Sequence, residues 1–237
     1  ILTKDKALNL IESLYLLIND YVPDGLAMSV MVGGTDEKGN DTTNELSYLS
    51  LEALRRTKLV YPTVGVCWHE KTPVKLSMLA CDLVSKGYST PAFFNDKVIR
   101  KGLESYGLPA RNSCNYINST CVEITPVGCS NVWVASPYFS LCRILLEEID
   151  AQASYAKSAK SFDAFLHSYF QRLAAAVKEA VDGQEAARAG RRRLGGKPLQ
   201  SVFTKGCIES GCDIDNSGAL VNWIECSFVG LANLADS

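Results

Sequence analysis

Long apolar runs are what this chain of 237 residues most plainly lacks. No stretch reaches the roughly 18–20 consecutive apolar residues of a membrane-spanning helix, so no membrane partner is expected. Excess charge is missing too: 24 Lys and Arg stand against 26 Asp and Glu, a net charge of −2. That balance offers no footprint for a polyanion, so nucleic acid is not an expected partner. Histidine is scarce, with two in the chain, and the nine cysteines include no C-x-x-C pair. Cys67 lies two residues before His69, and Cys207 and Cys212 are five apart, which is no zinc set; no metal is expected. The odd cysteine count at irregular spacing argues against a disulfide framework. Reduced, mostly buried thiols in a cytoplasmic protein are the reading. The opening ILTKDKALNL lacks the charged-then-apolar layout of a signal peptide.

What is present is ordinary globular material, 47% hydrophobic and 21% charged. Disordered and collagen-like classes are excluded. The length suits one large domain or two small ones. Leu8, Ile11, Leu14, Tyr15, Ile18 and Val22 follow the 3.6 period and predict a helix over 4–21, ended by Pro23-Asp24-Gly25. A buried strand is predicted over 26–33, then a polar turn over 34–41. Thr42-x-x-Glu45 reads as a capping box opening a helix to about Lys58. Strands at 62–68 and 90–94 alternate with helices at 72–86 and 95–106. Such alternation implies an α/β fold with a mainly parallel sheet or barrel.

Residues 107–135 break the pattern. They are poor in charge and rich in Asn, Ser, Thr, Cys, Gly and Pro. A loop this long inside a compact domain points to function, and its Asn, Ser and Thr side chains can satisfy a buried backbone. Helices are predicted over 137–150, 162–182 and 198–210. Residues 183–197 read as a Gly/Arg-rich connection, and Arg191-Arg192-Arg193 as a solvated loop or a phosphate contact. Asp213 to Gly218 reads as a turn, since calcium-loop spacing is missing. VGLANLADS at the end reads as the start of a helix.

Three stretches together resemble the glycyl-radical enzymes of the pyruvate formate-lyase type. The first is Val32-Gly33-Gly34-Thr35-Asp36-Glu37-Lys38-Gly39-Asn40-Asp41 with Asn44-Glu45-Leu46-Ser47-Tyr48-Leu49. The second is Thr90-Pro91-Ala92-Phe93-Phe94-Asn95-Asp96, followed by Cys121-Val122-Glu123. The third runs from Gly206-Cys207-Ile208-Glu209 to Gly230-Leu231-Ala232-Asn233. The resemblance implies part of a ten-stranded barrel wrapped by helices. Residues 1–237 would be a partial barrel domain with its cysteine loop at about 114–135, and the C-terminal glycine-radical domain would be absent. Thr120 stands where the family usually has Gly, Ile124-Thr125-Pro126 delays a Pro, and Val221-Asn222 replaces a Tyr-Asn pair.

The resemblance also implies the chemistry. A radical S-adenosylmethionine activase with an iron-sulfur cluster installs a glycyl radical, so the chain itself binds no cofactor. That radical takes hydrogen from a cysteine, and the thiyl takes hydrogen from a small organic substrate. Cys121 is the candidate thiyl residue, with Cys114 and Cys129 as runners-up in the same loop. Glu123 is the candidate general base; in an extended backbone, residues i and i+2 point the same way, and a buried carboxyl suits proton transfer near neutral pH. The other reading of Glu123 is a structural ion pair. Asn131, Trp133 and Val134 are candidate substrate contacts, or else a core strand. Thr120 and Val122 flank Cys121 where pyruvate formate-lyase proper has two adjacent cysteines, so radical lyase or dehydratase elimination is favoured. Formate C-acetyltransferase-type carbon–carbon cleavage is one alternative. A catalytically inactive fragment, or a structural partner in a split enzyme, is another. The activase, the remainder of the glycyl-radical chain and a second copy in a homodimer are the implied partners.

Overall fold

The structure, a computed structural model, describes residues 2–21, 28–118, 123–131, 137–154 and 161–236. It divides into two units, Ile1–Val127 and Gly128–Ser237.

The first unit alternates helix and strand as expected. Helices α1 (Lys4–Tyr21), α2 (Glu45–Thr57), α3 (Val74–Ser85) and α4 (Asp96–Ser105) interleave with β1 (Ser29–Gly33), β2 (Thr63–Trp68) and β3 (Ala92–Asn95). The strands form one parallel sheet in the order β1-β2-β3. As the middle strand, β2 is buried on both faces, which is why it reads Thr-Val-Gly-Val-Cys rather than alternating with polar residues. Gly65 is required there, because a Cβ would lie 2.5 Å from Met31 Sδ and 2.8 Å from Phe94 Cε2. Val64 and Val66 pack with Leu8, Tyr15, Leu51, Leu54, Leu76 and Leu83 in the core.

One cap differs from expectation. Asn44 caps α2, its side chain accepting from Leu46 N–H at 2.9 Å, and Ser47 completes the box. Thr42 is committed elsewhere: its hydroxyl donates to the carbonyls of Gly33 at 2.9 Å and Gly34 at 3.0 Å. The described part of 107–135 is also not all loop. It holds α5 (Ala110–Ser113) and an antiparallel pair, β4 (Tyr116–Asn118) and β5 (Ile124–Pro126).

The second unit departs further. The predicted helix over 137–150 begins as a strand, β6 (Tyr138–Ser140), before α6 (Leu141–Ser154). Strand β6 pairs in parallel with β7 (Ser227–Val229), and Phe139 stacks on Phe228 with ring centroids 5.4 Å apart. A partner so distant in sequence leaves no local signal. Helix α7 runs from Phe162 to Arg193, well past the predicted end at 182. Its last turns are tied by Arg188 to the Trp223 carbonyl at 2.5 Å, and by Arg191 to Asp215 at 2.9 and 3.2 Å. The Arg run and the acidic turn therefore answer each other. The predicted helix 198–210 is broken into α8 (Pro198–Val202) and α9 (Cys207–Ser210). At the break, Gly206 has φ +98°, and a Cβ would meet the Gly218 carbonyl at 2.6 Å. After β7, α10 covers Leu231–Ala235. The described strands make sheets of three, two and two; the fold is α/β, and the ten-stranded barrel is not seen in them.

Candidate active site

The site is built on the C-terminal ends of the parallel strands. Strand β1 ends at Gly33, and Gly33 and the following Gly34 are both at positive φ. Gly34 N–H donates to the Cys67 carbonyl at 2.8 Å, and a Cβ on Gly34 would sit 3.1 Å from Cys67 Cβ. This glycine pair lets the chain turn against the end of β2. Asp36 then closes the turn, accepting from the backbone N–H of Lys38 at 2.9 Å and of Asn40 at 2.8 Å. The Asn40 side chain leads the contacts that hold the Asp36 carboxyl below its usual range.

Asp96 lies at the start of α4 and is 1% exposed. Its Oδ2 accepts from the Thr35 hydroxyl at 2.5 Å and its Oδ1 from the Tyr116 hydroxyl at 2.9 Å. Arg100 donates to Thr35 Oγ1 and, at 2.8 Å, to the Asp36 carbonyl. A buried carboxylate is tolerable because it is so supplied with donors. Burial pushes the adjacent Cys67 thiol up to about 11, against the Tyr116 hydrogen bond and with help from Asp96. Cys67 is thus a protonated thiol at neutral pH and a poor nucleophile. Burial is also the main reason that the Tyr116 phenol is pushed upward. A cavity of about 530 Å³ opens beside this cluster, lined by Cys67, Asp96, Arg111, Cys114 and Tyr116 among others.

Tyr116 opens β4, so the cluster is the root of the hairpin that leads to the candidate residues. The rungs are Tyr116 with Pro126, Ile117 with Thr125 and Asn118 with Ile124. Val127 N–H extends the ladder to the Asn115 carbonyl at 2.9 Å. Five residues join the strands, and Cys121 is the middle one in sequence. Cys121, Trp133 and Val134 lie outside the described residues. Glu123 directly precedes β5 and is half-buried. Cys114, one runner-up, has its thiol raised by burial, with Arg100 opposing; Cys129, the other, is fully buried. No group of three His, Cys, Asp or Glu side chains placed to hold a metal occurs among the described residues.

Asn131 belongs to the second unit and is 3% exposed. Its amide is engaged at both ends by one residue: Nδ2 donates to the Trp223 carbonyl at 2.9 Å, and Oδ1 accepts from Trp223 N–H at 3.1 Å. Sequence reasoning missed Asp96, Thr35, Arg100 and Tyr116 as a group. Thr35 and Asp96 stand inside the quoted motifs, but nothing local joins residues 61 apart.

The family model described as Pyruvate formate lyase-like matches residues 1–237. The chain belongs to the pyruvate formate lyase-like family. Within it, the chain is 29% identical to the (2S)-3-sulfopropanediol dehydratase of Klebsiella oxytoca, with all of this chain and 32% of that protein covered. The glycerol-bound B12-independent glycerol dehydratase from Clostridium butyricum is 29% identical with a TM-score of 0.90, over 99% of this chain and 33% of that one. A glycyl radical enzyme from Archaeoglobus fulgidus shares the fold at 24% identity and a TM-score of 0.82, over 99% of this chain and 33% of that one. This chain of the pyruvate formate lyase-like family spans about a third of the length of these relatives.

Proposed function

We propose that the protein carrying this chain is a glycyl-radical lyase of the dehydratase type, in which Cys121 is the thiyl residue and Glu123 the general base. The observation that carries the reading is the β4–β5 hairpin. Its register makes Cys121 the middle residue of the connecting segment and sets Glu123 against the first residue of β5. In this reading the chain contributes residues 1–237 of a ten-stranded barrel, with 114–135 as the cysteine loop. A glycyl radical installed by a radical S-adenosylmethionine activase supplies the initial hydrogen abstraction.

Cys121 gives its thiol hydrogen to that radical and takes one from the substrate carbon that bears a hydroxyl. Glu123 takes the hydroxyl proton. The neighbouring carbon–oxygen bond then breaks, and its hydroxyl departs with the bonding pair and the proton that Glu123 gives back, as water. The product radical regains hydrogen from Cys121, so the thiyl is restored and no net oxidant is consumed. Cysteine suits the relay because hydrogen transfer between sulfur and carbon radicals is nearly reversible. Asn131 orders the Trp223 backbone, and Trp133 and Val134 are read as substrate contacts. Two similar proteins named as dehydratases support elimination over acyl transfer.

Cys121→Ala in the full activated protein is the test. Turnover of a vicinal diol should vanish while the glycyl-radical signal in electron paramagnetic resonance persists. Undiminished turnover would sink the assignment.

A further inference from the structure

We infer that Tyr116 and Asp96 are positioning residues for this reaction: their hydrogen bond fixes the angle at which the β4–β5 hairpin presents Glu123. The role rests on the reaction proposed above.

The ribbon has little to hold it on its own. Each strand is three residues long, and a lone two-stranded ribbon is marginal in water. Its anchoring is one-sided. Tyr116, Asn118 and Pro126 are buried, whereas Ile117 and Thr125 on the other face are only half-buried. Continuing the alternation by one residue puts Glu123 on the face of Ile117 and Thr125, away from the anchor. The Tyr116 hydroxyl ties this ribbon to the sheet, 2.9 Å from Asp96 Oδ1. Asp96 is itself fixed through Thr35 to the glycine turn and through Arg100 to the Asp36 carbonyl. The tie therefore ends on the rigid C-terminal edge of the sheet.

The lever is long enough to matter. Glu123 lies three residues from Pro126, the cross-strand partner of Tyr116, which is about 10 Å along an extended strand. A tilt of about 6° at the root moves such a point by about 1 Å. Displacements of that size at a reacting group cost on the order of 10²-fold in rate.

The experiment uses the full activated protein with glycerol and (2S)-3-sulfopropanediol as substrates. Tyr116→Phe should lower kcat about 10- to 100-fold while KM stays within about threefold. The radical signal per chain should stay at its wild-type value, and the loss of kcat should persist at temperatures well below the variant's Tm. Asp96→Asn keeps a carbonyl acceptor for Tyr116 and should lose less than Asp96→Ala. Tyr88→Phe removes a comparable hydroxyl bond, to the Arg55 carbonyl at 2.9 Å, and should leave kcat unchanged. Hydrogen exchange needs no substrate: amides of 117–125 should exchange faster in Tyr116→Phe and elsewhere remain as before. Unchanged exchange there overturns the anchor. A loss of kcat that disappears well below the variant's Tm overturns the positioning role in favour of plain stability. Full activity in Cys121→Ala overturns the reaction itself, a result separate from either.

Discussion

At the scale of single residues, the cluster around Asp96 is held by hydrogen bonds between side chains. Asp96, Tyr116 and Asn131 are buried and hydrogen-bonded, Asn131 to the Trp223 backbone. Glu123 is half-buried and stands at the end of a short strand, where a carboxyl can meet a substrate. Glu123→Gln is nearly isosteric, so the fold should survive it. If the carboxylate is the base, diol turnover should fall about 10²–10⁴-fold, the usual worth of a positioned acid–base group. Steady-state kinetics on the activated protein checks this. A change below about tenfold returns Glu123 to a structural role.

At the scale of elements, much of the first unit was legible in the sequence. Helix α1, strand β2 and helix α4 carry strong local patterns, and the Asn95 side chain caps α4 by accepting from Val98 N–H. What could not be read depended on partners far along the chain. Strand β6 is a strand because of β7, and α7 continues past Gly183 because Arg188 and Arg191 find Trp223 and Asp215. The candidate Cys121 and Glu123 came from motif resemblance, whereas the cluster at the root of β4 joins Thr35, Asp96, Arg100 and Tyr116, which no periodicity links. Helices α6 and α7 give a prediction of their own. Glu148 is buried between them and accepts from Ser168 at 2.6 Å, Gln152 at 2.8 Å and Arg172 at 2.8 Å. Ser168 first, then Gln152 and Arg172, hold its carboxyl down at about 2 against burial. A depressed carboxyl stabilises the fold above its unfolded value of 4.5 and loses that contribution as pH falls from there toward 2. Protection of α6 and α7 amides, corrected for intrinsic exchange, should therefore decline across that window. In Glu148→Gln the decline should be much flatter.

At the scale of the whole molecule, the chain leaves large apolar side chains in water. Leu194 is 90% exposed, Phe203 77% and Phe162 74%. Each ~100 Å² of apolar surface left wet forgoes about 2.5 kcal/mol. Residues 1–237 expressed alone should accordingly show no turnover and should self-associate, while keeping strong helical dichroism from α1, α2 and α7. Size-exclusion chromatography and a thermal melt decide it; a clean monomer with a sharp cooperative melt would contradict the expectation. The cluster around Asp96 has a further consequence for how the protein is made. Synthesis runs from Thr35 through Cys67, Asp96 and Arg100 to Tyr116, so the phenol is the last of these groups to leave the ribosome. Every other member of its support has by then been translated. The segment bearing Cys121 follows within a few residues, and so emerges only after Thr35, Cys67, Asp96, Arg100 and Tyr116 have all been made.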